Sequence, residues 1–167
     1  RDKMRVTALH IAAEKNDLDA AQLVVEREKT CRTNRGETAL HIATRLHFND
    51  LASFLLTYEA GYKNGDGITA LQYCCLHDYR DMVPMFLGRE TMIYSNDDKL
   101  AIELAFEMLH LPIVRLLIPY EGTEITESRG ARRSGNSITS TINDGYNSLH
   151  QSPTHEMGRH STQVANS

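Results

Sequence analysis

His10 and His41 sit 31 residues apart in the same local wording, and Cys74 and Cys75 are adjacent, so metal binding and thiol redox chemistry are the first possibilities to weigh. A metal site needs further ligands converging at short, fixed spacing, which the two histidines lack. Adjacent cysteines also lack the Cys-x-x-Cys spacing of a redox pair, and small buried residues suit their positions better. His150, His155 and His160 recur every five residues in a polar C-terminal stretch, where a solvated tail is the simpler reading than a metal tract. Ser134 and Ser137 beside Arg132 and Arg133, and Ser152 before Pro153, are candidate phosphorylation sites that would switch local charge. No glycine-rich phosphate loop follows a strand, no nucleophile elbow occurs, and no carboxylate pair is set on a recognisable scaffold. The expectation is a protein that is not an enzyme and takes no cofactor and no metal.

The residues around those histidines carry the organisation. Thr7-Ala8-Leu9-His10-Ile11-Ala12 recurs letter for letter as Thr38-Ala39-Leu40-His41-Ile42-Ala43. The same step of 31 leads to Thr69-Ala70-Leu71-Gln72-Tyr73-Cys74 and then to Leu100-Ala101-Ile102-Glu103-Leu104-Ala105, where the size pattern persists without Thr or His. A second apolar pattern follows in step, in Leu23-Val24-Val25, Phe54-Leu55-Leu56, Met85-Phe86-Leu87 and Leu116-Leu117-Ile118, with the spacing of one face of a short helix. Turn-rich stretches precede each first helix: Asn34-Arg35-Gly36, Gly65-Asp66-Gly67 and Asn96-Asp97-Asp98. Thr7, Thr38 and Thr69 are placed to accept from the free N–H groups of the helix that follows, which repeat four gives up at Leu100.

These residues resemble the ankyrin repeat, whose first helix opens on Thr-Pro-Leu-His-x-Ala and whose usual length is about 33 residues. The shortfall falls in the connecting loop, since both helix signatures keep their internal offsets. The resemblance implies an all-α ankyrin solenoid of helix-turn-helix repeats joined by hairpin fingers. It divides residues 1–122 into four repeats, at about 2–32, 33–63, 64–94 and 95–122. It also implies a structural role for His10 and His41, bonding the threonine and nearby backbone. The wording of Gly61 through Thr69 and of Arg115 through Thr123 is similar to divergent protist arrays, some fused to NIMA-related kinases.

Composition narrows the partner. A formal charge of -4 gives no basic field for nucleic acid, and no apolar run approaches the length of a membrane helix. Three cysteines without a pairing framework fit a reducing compartment, the cytoplasm first and the nucleus second. From 123 to 167 the chain is rich in Ser, Thr, Asn and Gly and reads as a disordered tail. Pro112, Pro119 and Gly122 read as the end of the last repeat. Leu9, Ile11 and Ala12 would meet solvent on the upstream side of repeat one, which points to a longer natural chain.

The resemblance implies a protein-protein interaction module or scaffold that holds another protein on its concave face, or else the non-catalytic targeting end of a larger enzyme such as a NIMA-related kinase. Carried over position by position, the finger residues are Met4 and Val6, Arg35 and Glu37, Asp66 and Ile68, and Asp97 and Lys99. The first-helix residues are Glu14 and Lys15, Arg45 and Leu46, Leu76 and His77, and Glu107 and Met108. The expected partner site is an apolar centre of Leu46, Ile68 and Leu76 rimmed by Arg35, Glu37, Arg45, Asp66, His77 and Lys99, with Met108 beyond.

Overall fold

The computed structural model describes residues 5–128, and among them there are eight helices and no strand. They come in four pairs: α1 (Ala8–Lys15) with α2 (Leu18–Glu28), α3 (Ala39–Arg45) with α4 (Asn49–Glu59), α5 (Ala70–His77) with α6 (Val83–Phe86), and α7 (Ala101–Glu107) with α8 (Leu111–Ser128). Each first helix packs on its own second helix and on the first helix of the next pair. The core lies along that seam, in Leu40, Ile42, Leu51, Leu55, Leu71, Phe86, Ile102 and Ile113, all but closed to solvent. Ala12-Ala13, Ala43-Thr44 and Cys74-Cys75 are buried where first helices meet, which is why bulk is excluded there.

The N-terminus of every first helix is closed in the same way, by side chains of three different types. The residue at the third helical position accepts the N–H of the residue before the helix: His10 Nδ1 from Thr7 at 3.1 Å, His41 Nδ1 from Thr38 at 3.3 Å, Gln72 Oε1 from Thr69 at 3.0 Å and Glu103 Oε2 from Leu100 at 2.9 Å. Of the three threonines expected to accept a helix N–H, only Thr69 does so, from Gln72 at 3.4 Å. The hydroxyls of Thr7 and Thr38 lie instead against the histidine Nδ1 at 2.9 and 3.0 Å, beside the backbone N–H that the same nitrogen accepts. Repeat four loses its threonine yet keeps this bond through Glu103.

A second ladder ties the repeats together, through Glu28, Glu59, Glu90 and Glu121. One oxygen of each carboxylate accepts the N–H of the second residue of its own first helix, at 2.7 Å from Leu9, 2.8 Å from Leu40, 2.7 Å from Leu71 and 2.8 Å from Ile102. The other oxygen of Glu59, Glu90 and Glu121 reaches the repeat before it, accepting from Thr30 at 3.0 Å, Gly61 at 2.9 Å and Met92 at 3.0 Å. A carboxylate at a helix N-terminus also meets the positive end of the helix dipole. Burial still pushes the carboxyls of Glu59, Glu90 and Glu121 above the ordinary glutamate range, against the pull of these backbone donors.

This ladder explains where the last helix goes. Pro119 and Gly122 do not end it, contrary to expectation: α8 runs through both to Ser128, taking in six residues assigned to the tail. Proline inside a helix removes one ladder bond at a cost of roughly 3 kcal/mol. Leu117, Ile118 and Glu121 are buried on either side of it, and the helix must reach Glu121 to join repeat three to repeat four. Proline at the start is tolerated, as with Pro112, since the first helical N–H groups have no partner to lose. The remainder of the tail, with Ser134, Ser137, Ser152, His150, His155 and His160, lies outside the described residues, as does Met4.

Two left-handed backbone positions recur in all four repeats and a third in the first three. They are the turn between the two helices (Asn16, His47, Asp78, Leu109), the exit from the second helix (Thr30, Gly61, Met92) and the finger tip (Arg5, Gly36, Gly67, Asp98). Asparagine, aspartate and glycine suit such positions, whereas Leu109, Met92 and the β-branched Thr30 are strained there. Gly36 is required for a further reason: a Cβ would stand 2.6 Å from the backbone nitrogen of Gly65 in the next finger. Of the three residues expected to meet solvent upstream, Ile11 is 44% exposed, while Leu9 and Ala12 are buried in a helix that packs on α2 and α3.

Candidate protein-interaction face

The fingers are held in register before any partner arrives. Gly65 N–H donates to Arg35 O at 2.9 Å, and Asn96 N–H donates to Gly67 O at 3.0 Å, so the second finger is hydrogen-bonded to the third and the third to the fourth. Inside the fingers, Thr33 Oγ1 accepts from Arg35 and Glu37, and Asn64 Oδ1 accepts from Asp66 and Ile68. From below, the His41 ring anchors the third finger. Its Nδ1 accepts a backbone N–H and therefore carries no proton, which leaves Nε2–H to donate to Ile68 O at 3.3 Å. Burial holds this imidazole neutral, with its pKa lowered to about 4. Gln72 repeats the device, its amide N–H donating to the carbonyls of Ile93 at 2.7 Å and Lys99 at 3.2 Å. The two histidines expected to serve structure do so, each bound to its own threonine.

Between the fingers and the first helices lies a groove of about 690 Å³. Of the expected site residues it gathers Arg35, Glu37, Arg45 and Asp66, and it adds Arg5, Arg32 and Tyr73. Arg45 Nε donates to Glu37 Oε1 at 3.3 Å across the groove. The guanidinium of Arg32 lies over the Tyr62 ring, 5.5 Å from its centroid. Tyr73 forms part of the lining, its ring 4.1 Å from that of exposed His77, and burial raises its hydroxyl pKa.

Leu46, Ile68 and Leu76 are not among the groove's lining residues. Leu46 caps the end of α3 and is open to solvent, while Ile68 and Leu76 are half-buried. Lys99 forms an ion pair with Glu107 at 2.7 Å, and Met108, at the end of α7, is 48% exposed. Beside Tyr73 and His77 a further ring, Tyr79, meets His47 edge-on at 4.7 Å, and His47 Nε2 is 2.7 Å from Asp81 Oδ2. That contact, first of all, holds the Asp81 carboxyl below its usual range.

Tyr73 was readable only as core, because it shares its slot with Ile11 and Ile42. Arg5 lies at the first finger tip and Arg32 just before the second finger, at positions outside the carried-over finger and helix pattern. Cys74 and Cys75 are fully buried, and desolvation pushes both thiols up, which removes the thiolate that redox chemistry would need. Among the described residues no group of three or more potential metal ligands is assembled, and no helix is long and apolar enough to cross a membrane.

No curated protein matches the chain. Residues 1–64 match the family model described as ankyrin repeats (3 copies), a family whose members are generally protein-protein interaction modules. With that match, the exact recurrence of its opening hexamer and the all-helical stack of helix pairs among the described residues, the chain carries ankyrin repeats.

Proposed function

We propose that this chain is a scaffold that holds a partner protein against its finger tips and the exposed ends of its first helices. One observation carries the reading: Arg35, Glu37, Arg45 and Asp66, contributed by two successive fingers and a first helix, line one groove. The backbone beneath them is already ordered by finger-to-finger hydrogen bonds. A surface ordered in advance loses little conformational entropy on binding, which is what a recognition face requires. The reading assigns the described residues no catalytic step.

Capture of partners by the immobilised chain tests it. Tyr73→Ala with Arg45→Ala should abolish capture of the proteins the unaltered chain retains. Leu23→Asp on α2, where Leu23 is 85% exposed, should leave capture intact. Loss with Leu23→Asp and retention with the finger-face pair would refute the reading.

A further inference from the structure

The groove has a charge pattern unlike that of the chain around it. Four arginines (Arg5, Arg32, Arg35 and Arg45) line it against two acids, Glu37 and Asp66, in a chain whose formal charge is -4. Arg45 is engaged with Glu37. Among the described residues, Arg5, Arg32 and Arg35 have no carboxylate within ion-pair distance. Three exposed guanidiniums are thus concentrated in one cleft with no ion-pair partner among the described residues.

We infer that this groove binds an acidic, extended segment of a partner protein, with its glutamates and aspartates laid along the first and second fingers. The inference rests on the finger-face reading above and adds the partner's chemistry. The arginines are distributed along the chain, one at the first finger, two in the second and one at the end of α3, so they suit carboxylates spaced along a peptide rather than one point charge. Asp66 closes the third-finger end of the cleft with the opposite sign. The acidic run stops there, and a neutral or basic residue follows. A long polyanion such as nucleic acid would leave the cleft and meet the net negative charge of the rest of the chain.

Fluorescence anisotropy of the full chain with a labelled Glu/Asp-rich peptide tests this. The controls are a Lys-rich peptide of equal length and a single-stranded oligonucleotide. The acidic peptide should bind saturably at low salt and weaken as salt rises. Arg5→Glu with Arg35→Glu should weaken it by about tenfold or more, and the charge-matched pair Arg27→Glu with Arg115→Glu, on second helices, by about twofold or less. Asp66→Asn should tighten binding by about threefold, a gain that misfolding cannot imitate. Circular dichroism checks that each variant keeps its helices. No binding of the acidic peptide, equal loss with both arginine pairs, or tighter binding of the oligonucleotide would overturn the inference. If the peptide fails while the Tyr73→Ala/Arg45→Ala pair still abolishes partner capture, the acidic chemistry falls and the finger-face reading stands.

Discussion

Glu59 joins two repeats through one carboxylate: Oε2 accepts Leu40 N–H of its own repeat at 2.8 Å, and Oε1 accepts Thr30 N–H of the repeat before it at 3.0 Å. Glu59→Gln puts an amide NH₂ opposite one of those two N–H groups. The change should lower stability by about 2 kcal/mol, since a buried donor loses its acceptor. Glu28→Gln should cost less, because Glu28 is half-buried and is bonded at one oxygen, to Leu9. Urea denaturation of the two variants checks the order, and an equal cost would contradict the cross-repeat role.

The His41 ring makes a pH prediction. Its native pKa of about 4 lies below the ordinary value of 6.5, so on acidification the unfolded chain takes up this proton first. The stability tied to the neutral ring is present above pH 6.5 and is lost as the pH falls toward 4, by up to about 3 kcal/mol. Glu59, Glu90 and Glu121 act in the opposite sense. Their raised values make their contribution largest below the ordinary glutamate range and diminish it as the pH rises. His41→Gln, which copies Gln72, should therefore gain on the unaltered chain as the pH is lowered from 7 to 5. Urea midpoints at the two pH values measure this, and a difference independent of pH would refute it.

Gly36 and Gly88 are both left-handed, but only Gly36 faces backbone, at 2.6 Å from Gly65 N, while a Cβ on Gly88 would meet nothing within 4 Å. Gly36→Ala should cost about 2 kcal/mol or more and loosen the fingers. Gly88→Ala should cost about 1 kcal/mol, from backbone strain alone. Thermal unfolding of both variants separates the two effects.

Leu109 is 73% exposed and left-handed, at the slot filled by Asn16 in repeat one. Leu109→Asn should raise stability by about 0.5–1 kcal/mol by relieving strain without loss of packing. A lower melting temperature would show that the leucine packs in a way its exposure does not suggest.

The helix pairs were legible because the hexamer at Thr7 and Thr38 recurs unchanged and the apolar triplets keep step with it. The Glu28, Glu59, Glu90 and Glu121 ladder obeys the same period of 31, yet a glutamate at the end of a helix reads as solvated charge until its partners are placed. His10, His41, Gln72 and Glu103 do one job with three chemistries, so similarity of letters could not reveal it. Leu109, Met92 and Thr30 conceal left-handed turns because their residue types do not favour them. The groove was half legible. Arg35, Glu37, Arg45 and Asp66 followed from finger and helix positions, whereas Arg5 and Tyr73 stand in slots that hold glycine (Gly36, Gly67) and isoleucine (Ile11, Ile42) in other repeats, and Arg32 lies in the connecting loop.

The footprint of a captured partner tests the central claim most directly. Hydrogen-deuterium exchange of the chain, free and bound, should show new protection across residues 32–37, 45, 64–66 and 73. Protection confined to the second helices, around Leu23 and Phe54, with the fingers unchanged, would contradict it.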